Sequence, residues 1–366
     1  MDDGKPTILV TGIAGNLGQR LLPLLGGYQV IGIDLFPPRA ERALSRFVQM
    51  DLGLEASCWE LTLLLRDLRP AAVVHLAFVL DPVRNDVLDV ERMWQINVAG
   101  TARMMEAITE ANRDDSIVSK FIFPSSVSAY GPDLPPQVSE DFPLGAHTLP
   151  YAVHKMECDK VVQARAPALR ACSVYMLRPH IFTGASVENY MVGAFRGTPN
   201  GRGKRAASLR AQGKRLPCML PYGQKYLDNK IQFVHVDDMA RLMAYILAKA
   251  EPETQRLTVL NVAGRGEPLT FARCIEMAQA KLVRVPGKWA FRSVLRFLWS
   301  TRISAIPPEA APYMTGEYTM NTNRLRKFLG PDYETVMRYT IADAFADSFA
   351  SAAPVEVERG KVVKAS

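Results

Sequence analysis

A short β-branched and apolar run, Thr7-Ile8-Leu9-Val10, leads straight into Thr11-Gly12-Ile13-Ala14-Gly15-Asn16-Leu17-Gly18. The run reads as a buried parallel strand, and residues 17–25 carry a helical pattern. Glycine at every third position between them leaves few options. Gly12 suits a tight turn, Gly15 lets a phosphate approach the backbone, and Gly18 lets helix and strand pack closely. A strand, glycine turn and helix opening a βαβ unit is the context in which this spacing binds a dinucleotide. The pyrophosphate would meet the free N–H groups and positive dipole end of the helix. Gly12, Gly15, Asn16, Leu17 and Gly18 are therefore expected cofactor contacts. Asp34 ends a second strand, 29–34, where it can accept hydrogen bonds from the adenosine ribose. It would repel a 2′-phosphate, which favours NAD, while nearby Arg39 keeps NADP open.

The alternation continues. Residues 61–68 read as helix, 72–76 as strand, 91–112 as helix, 120–124 as strand, 151–166 as helix and 172–177 as strand. Strands alternating with helices mean a parallel sheet with right-handed crossovers. The predicted class is α/β, a Rossmann-type doubly wound parallel sheet with a smaller C-terminal substrate-binding portion. After Gly184 the alternation stops. Residues 187–229 are rich in Gly, Arg, Lys and Pro and read as irregular. A strand at 231–234, a helix at 237–249, a strand at 258–262 and a helix at 269–282 follow. Residues 288–299 look helical, and 306–318 read as a Pro-containing loop. The expected division is 1–184, with 231–265 returning to it, as the NAD(P)-binding domain. Residues 185–230 and 266–350 form the substrate portion, and 351–366 a polar tail.

Among 366 residues, Lys and Arg number 44 and Asp and Glu 37, a net +7. The excess is local. From Arg196 to Lys230 there are nine basic residues and one acid, a surplus of +8, so the rest of the chain sums to −1. One basic segment on a near-neutral body argues against a nucleic-acid coat. That segment reads as a solvated insertion, as a loop gripping a diphosphate, or as a contact for an acidic or membrane surface. Lys288, Arg292 and Arg296 also form a stripe on a helix with Leu295, Phe297, Leu298 and Trp299. It is expected to pack on the domain, with a membrane surface as the second reading. The five cysteines, 58, 158, 172, 218 and 274, are widely spaced without C-x-x-C. Neither a disulfide framework nor a metal site is expected, which fits a reducing compartment, the cytoplasm. No apolar run is long enough to span a bilayer, and the N-terminus lacks a signal-peptide pattern.

Further along, ordered motifs accumulate: Asp51-Leu52, Val74-His75-Leu76-Ala77, Asn97-Val98-Ala99-Gly100-Thr101, Ser125-Ser126 before Tyr130-Gly131, Tyr151-Ala152-Val153-His154-Lys155, Leu177-Arg178-Pro179 and Val236-Asp237-Asp238. With the glycine turn, they resemble the extended short-chain dehydrogenase/reductase family, NAD-dependent epimerase/dehydratase type, over about residues 7–265. The resemblance implies an NAD(P)-dependent enzyme with Ser126, Tyr151 and Lys155 as catalytic residues. It also implies that Asp51, Leu52, Leu76, Ala77, Asn97, Tyr151, Lys155 and His180 join the cofactor contacts. A small-molecule substrate and a homodimer, paired through helices 91–112 and 151–166, are implied as well.

Tyr151 and Lys155 are four residues apart and share a helix face. Lys155 is expected to lower the Tyr151 pKa from about 10, so that the phenol works as base or acid. Ser126 would hydrogen-bond the same substrate oxygen. Tyr130, His75 and His154 are expected to be structural. The resemblance separates subclasses less sharply. Its 4,6-dehydratases carry an Asp-Glu pair where this chain has Val127-Ser128. Its nucleotide-sugar epimerases commonly carry an Asn where this chain has Ile181. A nucleotide-sugar epimerase is the first reading, and a dehydrogenase or reductase of a less polar alcohol or ketone the alternative.

Overall fold

Period-two alternation along the strands decides how the layers stack. In β1 (Thr7–Thr11), Ile8 and Val10 enter one apolar cluster and Leu9 another. In β4 (Ala72–His75), Val74 joins the first and Val73 the second. In β5 (Lys120–Pro124), Ile122 is set against Phe121 and Phe123 in the same way. Such strands must be covered on both faces, as all-parallel sheets are. The computed structural model describes residues 4–80, 90–249 and 257–350. With β2 (Gln29–Asp34), β3 (Arg46–Gln49), β6 (Ser173–Pro179) and β7 (Leu257–Val262), a seven-stranded parallel sheet forms in the order β7-β6-β5-β4-β1-β2-β3. The order reverses between β1 and β4. That opens a crevice at their carboxyl ends, the place where open α/β sheets bind ligands.

Helices Ser57–Leu68, Gly100–Ala111 and Pro150–Arg165 cover one face through Leu61, Leu65, Met104, Ile108, Cys158 and Val162. Helices Asn16–Leu21, Val236–Ala248 and Asn323–Leu329 cover the other through Leu21, Met239, Met243 and Leu325. A third cluster, with Phe195, Leu220, Phe271, Phe291, Tyr318 and Phe345, builds the C-terminal portion and reaches Val127, Tyr130 and Ala152.

Several sequence expectations need correction. The expected strand 231–234 is two pieces. Lys230–Ile231 pairs with Leu269–Thr270, and Phe233–His235 pairs with Ile181–Thr183. Gln232 between them is buried, and its side-chain amide bonds the Met320 backbone. The stretch 187–229 holds helices Tyr190–Arg196 and Lys204–Ala211 and strand Cys218–Pro221. That strand pairs with Leu282–Val285, so the expected helix 269–282 shortens to Phe271–Met277. The sheet-edge strand β3 also escaped notice. Only Phe47 and Val48 in it are apolar, between exposed Arg46 and Gln49. The predicted tail, 351–366, lies outside the described residues.

Candidate active site

The glycine turn is built as its spacing demands. Gly12 has φ +69°, and a Cβ on it would lie 2.5 Å from the Ala77 nitrogen. A Cβ on Gly18 would lie 2.6 Å from the Ile13 carbonyl oxygen, so helix Asn16–Leu21 can sit on the turn only with glycine there. Gly15 is the N-cap, with no side chain capping it. Beside the turn opens a cavity of about 300 Å³. Gly12, Ala14 and Gly15 form its floor, and Ile33, Leu52, Leu76 and Ile96 its apolar walls. Asp34 and Asp51 supply its polar ends.

Asp34 accepts hydrogen bonds from Ala14 N at 2.9 Å and Leu35 N at 2.7 Å. Burial raises its pKa and these amide bonds pull it back down. Asp51 accepts from Gly53 N at 2.9 Å and pairs with Arg92. An acid for ribose hydroxyls, side-chain-free backbone for phosphate and apolar walls for a purine fit the adenosine end of a dinucleotide. Gly12, Gly15, Asp34, Asp51, Leu52, Leu76 and Ala77 thus line one cavity.

Ser126 follows β5 and N-caps the 3₁₀ turn Val127–Tyr130, its hydroxyl accepting from Ser128 N at 3.2 Å. The Ser128 hydroxyl donates to the Ser126 hydroxyl at 2.9 Å. Tyr151, in the first turn of Pro150–Arg165, has its phenol beside both hydroxyls. Its pKa is raised by burial, with the two serines pulling it down. Lys155 is not among the groups that shift it. Lys155 instead donates to the Pro124 carbonyl at 2.7 Å, with its Nζ 3.7 Å from the centre of the Phe78 ring. Burial lowers the Lys155 pKa to about 8.

Phe78 also lines the cavity and meets the Tyr151 ring edge-on at 5.8 Å, so one ring joins the two halves of the site. Neither Phe78 nor Ser128 was foreseen. Ser128 stands two residues from Ser126 in the sequence, which is the only signal that could have found it.

Other expected contacts sit elsewhere. Asn97 is fully buried in a π-turn, Gln95–Ala99, and its carboxamide bonds both Val79 N and Val79 O, at 2.7 and 2.9 Å. It holds the loop after β4 and does not line the cavity. Asn16 donates to Ser186, tying the glycine turn to the loop after Ile181–Thr183. Leu17 packs in the core. His180 is buried, bonds the Tyr318 carbonyl at 2.9 Å and accepts from Ile181 N at 2.9 Å. Burial lowers its pKa to about 3. Both ring nitrogens are used locally, and His180 does not line the cavity.

The other expected structural residues are buried in hydrogen bonds. His75 lies between Thr11 and Thr101 hydroxyls at 2.8 and 3.2 Å, and His154 lies edge-on to Trp94. Tyr130 donates to Asn261 at 2.7 Å and accepts from Arg178 at 2.8 Å. Arg178 also forms a two-pronged ion pair with Asp159, both bonds 2.8 Å, and Ser125 donates to that carboxylate at 2.9 Å. This buried knot locks β6, the serine turn and the Tyr151 helix together. Among the described residues no cluster could hold a metal ion, and no helix is long and apolar enough to cross a membrane.

Among curated proteins, the chain is similar to UDP-glucose 4-epimerases. A UDP-glucose 4-epimerase of Erwinia amylovora is 31% identical over 204 residues, 53% of this chain and 58% of that one. A UDP-glucose 4-epimerase of Bacillus subtilis is 30% identical over 181 residues, 47% of this chain and 51% of that one. The matched stretch thus spans little more than half the length of these relatives. In fold, the chain is similar to the solved structure of a Thermus thermophilus UDP-glucose 4-epimerase complex with NAD. The TM-score is 0.62 at 19% identity, over 95% of this chain and 100% of that one. The model of the NAD dependent epimerase/dehydratase family matches residues 8–263, and with its glycine turn, serine strand and tyrosine helix in place the chain belongs to that family.

Proposed function

We propose that this chain is an NAD-dependent nucleotide-sugar epimerase, with Ser126, Tyr151 and Lys155 as its catalytic residues. The observation that carries the reading is the Tyr151 phenol, which lies beside the Ser126 and Ser128 hydroxyls and packs on Phe78, Val79 and Ile96, all three of which line the glycine-turn cavity. The curated relatives named UDP-glucose 4-epimerase support it. Gly12, Gly15, Asp34, Asp51, Leu52, Leu76 and Ala77 would hold the NAD, which supplies reversible hydride acceptance from an alcohol carbon. Ser126 hydrogen-bonds the reacting oxygen and fixes it against Tyr151. Tyr151 takes the hydroxyl proton as the alcohol is oxidised, and returns one once the ketone presents its other face. Lys155 would hold its ammonium beside the nicotinamide ribose, and with NAD bound that charge together with the nicotinamide ring's would favour the phenolate. Residues 1–184 and 231–265 serve the cofactor, 185–230 and 266–350 the substrate.

One observation favours a second reading. Ile181 begins a strand paired to Phe233, so this position offers no polar side chain to a diphosphate. A dehydrogenase or reductase of a less polar alcohol or ketone would use the same residues.

The reading extends to a cytoplasmic homodimer. Helices Gly100–Ala111 and Pro150–Arg165 lie side by side, with Arg165 paired to Glu106 across them. The first test is turnover of UDP-glucose with NAD present. Formation of UDP-galactose without net NADH supports the epimerase, and stoichiometric NADH supports the second reading. Tyr151→Phe should lower turnover by about 10²–10⁴-fold while NAD affinity is kept. Unchanged turnover would reject the site.

A further inference from the structure

Helix Gly287–Ser300 is amphipathic in an unusual way. Its inner face buries Phe291 and Leu295 in the third core cluster, as ordinary packing requires. Its outer face is not polar throughout. Trp289, Arg292, Arg296 and Trp299 are spaced three, four and three residues apart, so they form one stripe, with Phe297 beside it. Trp289 is 80% exposed, Phe297 58% and Trp299 43%, while Arg292 and Arg296 are exposed between the tryptophans. Single exposed apolar side chains are ordinary, but two tryptophans flanking two arginines on one helix stripe, with Phe297 exposed on the side beyond Trp289, are a patch.

The chain segments that build this surface are short of acids. No acid occurs in the sequence between Glu276 and Glu309, nor between Glu188 and Asp228. The fold brings these two acid-free stretches together. Gly203 N donates to the Arg302 carbonyl at 2.9 Å, and Gly201 N to the Ile303 carbonyl at 3.0 Å. Exposed Lys204 and Arg205 therefore start their helix beside the end of the tryptophan helix. From a neighbouring element Asp133 faces this surface, 3.5 Å from Lys288.

We propose that this face docks on an anionic lipid bilayer, with the helix lying in the plane of the headgroups. Indole rings belong at that depth, part apolar and part hydrogen-bonding. The arginines extend to the phosphates while their stems cover apolar surface. Charge complementarity selects this occupant. A second copy of the chain would bring cations against cations, and a nucleic acid would leave Trp289 and Phe297 without an apolar partner. The proposal does not rest on the epimerase reading, because none of these residues belongs to the site described above.

The test uses the full chain and vesicles of phosphatidylcholine alone or mixed equally with phosphatidylglycerol. The expected result is co-sedimentation with the mixed vesicles only, weakened by salt, with tryptophan fluorescence quenched by brominated lipid. R292E/R296E should weaken binding on the order of 25-fold, about fivefold for each cation lost. Trp289→Ala with Trp299→Ala should weaken binding and remove most of the quenching. NAD binding should be unchanged in both, which shows that the fold is intact. Failure to bind the mixed vesicles, or equal binding to both kinds, overturns the proposal. So does salt-sensitive binding to a DNA duplex without vesicle binding, or self-association abolished by Trp289→Ala.

Discussion

Lys155 shows how one residue can serve chemistry at a cost to stability. The residue is 5% exposed, its ammonium is held by one carbonyl and one aromatic face, and burial lowers its pKa from 10.5 to about 8. Below pH 8 both folded and unfolded chains carry the proton, and the folded chain bears the full desolvation cost. Between pH 8 and 10.5 the unfolded chain holds a proton the folded chain has released, so stability rises with pH across that window. Lys155→Met should therefore be more stable than the parent at pH 7, by about 3 kcal/mol. That advantage should fade as pH rises from 8 to 10.5, and turnover should be lost at every pH. Urea unfolding at pH 7 and pH 10 checks this. A less stable variant at pH 7 would mean that the Pro124 and Phe78 contacts outweigh the burial. Tyr151 is the opposite case, a neutral phenol favoured by burial and drawn toward ionisation by two hydroxyls.

The glycine turn works as an element, and its three glycines do different things. Gly12 has a backbone conformation and a neighbour, Ala77 N, that both exclude a side chain. Gly15 has ordinary φ, and a Cβ there would approach only the Gly12 carbonyl oxygen, at 3.1 Å, on the cavity floor. Gly12→Ala should thus lose about 1–3 kcal/mol of stability and NAD affinity together. Gly15→Ala should keep most of its stability and lose mainly affinity. Thermal melts beside NADH fluorescence titration separate the two, and equal behaviour of both variants would contradict the geometry. The π-turn Gln95–Ala99 is a second such device. It sets Asn97 against Val79, and its carbonyl receives the Thr101 hydroxyl at 2.6 Å. Sequence reading anticipated Asn97 as important but placed it on the cofactor. A local irregularity in a helical pattern leaves no periodic trace.

At the scale of the whole molecule, buried ionic and polar links join segments far apart in the chain. Arg178 and Asp159 unite β6 with the Tyr151 helix, and Tyr130 extends the knot to Asn261 in β7. Asp238 accepts from Arg338 N and Tyr339 N, both at 3.0 Å, and anchors the C-terminal segment. The molecule's outer helices bear on assembly. Val153, Glu157, Lys160 and Ala164 line one stripe of Pro150–Arg165 that is partly or fully exposed. If a homodimer forms there, sedimentation equilibrium should give twice 40.6 kDa, and Ala164→Arg should return the mass to that of one chain. A monomeric parent protein would end the dimer reading.

The sequence by itself determined the cofactor half of the molecule. Residues 7–34 contain strand, turn, helix and acid within one βαβ unit, so their spacing is local and survives translation into structure almost unchanged. The core strands were legible for the same reason, as short apolar runs bounded by breaks. Only the tertiary structure decided the rest. Phe78 and Ser128 meet Tyr151 across more than twenty residues of chain, and no pattern in the sequence measures that distance. His180 is held away from the cavity lining by a carbonyl 138 residues away. The net +7 was visible as a basic segment, but its meeting with the tryptophan helix through Gly203 and Arg302 was not. Spacing reports neighbours along one element; long-range packing decides which elements share a surface.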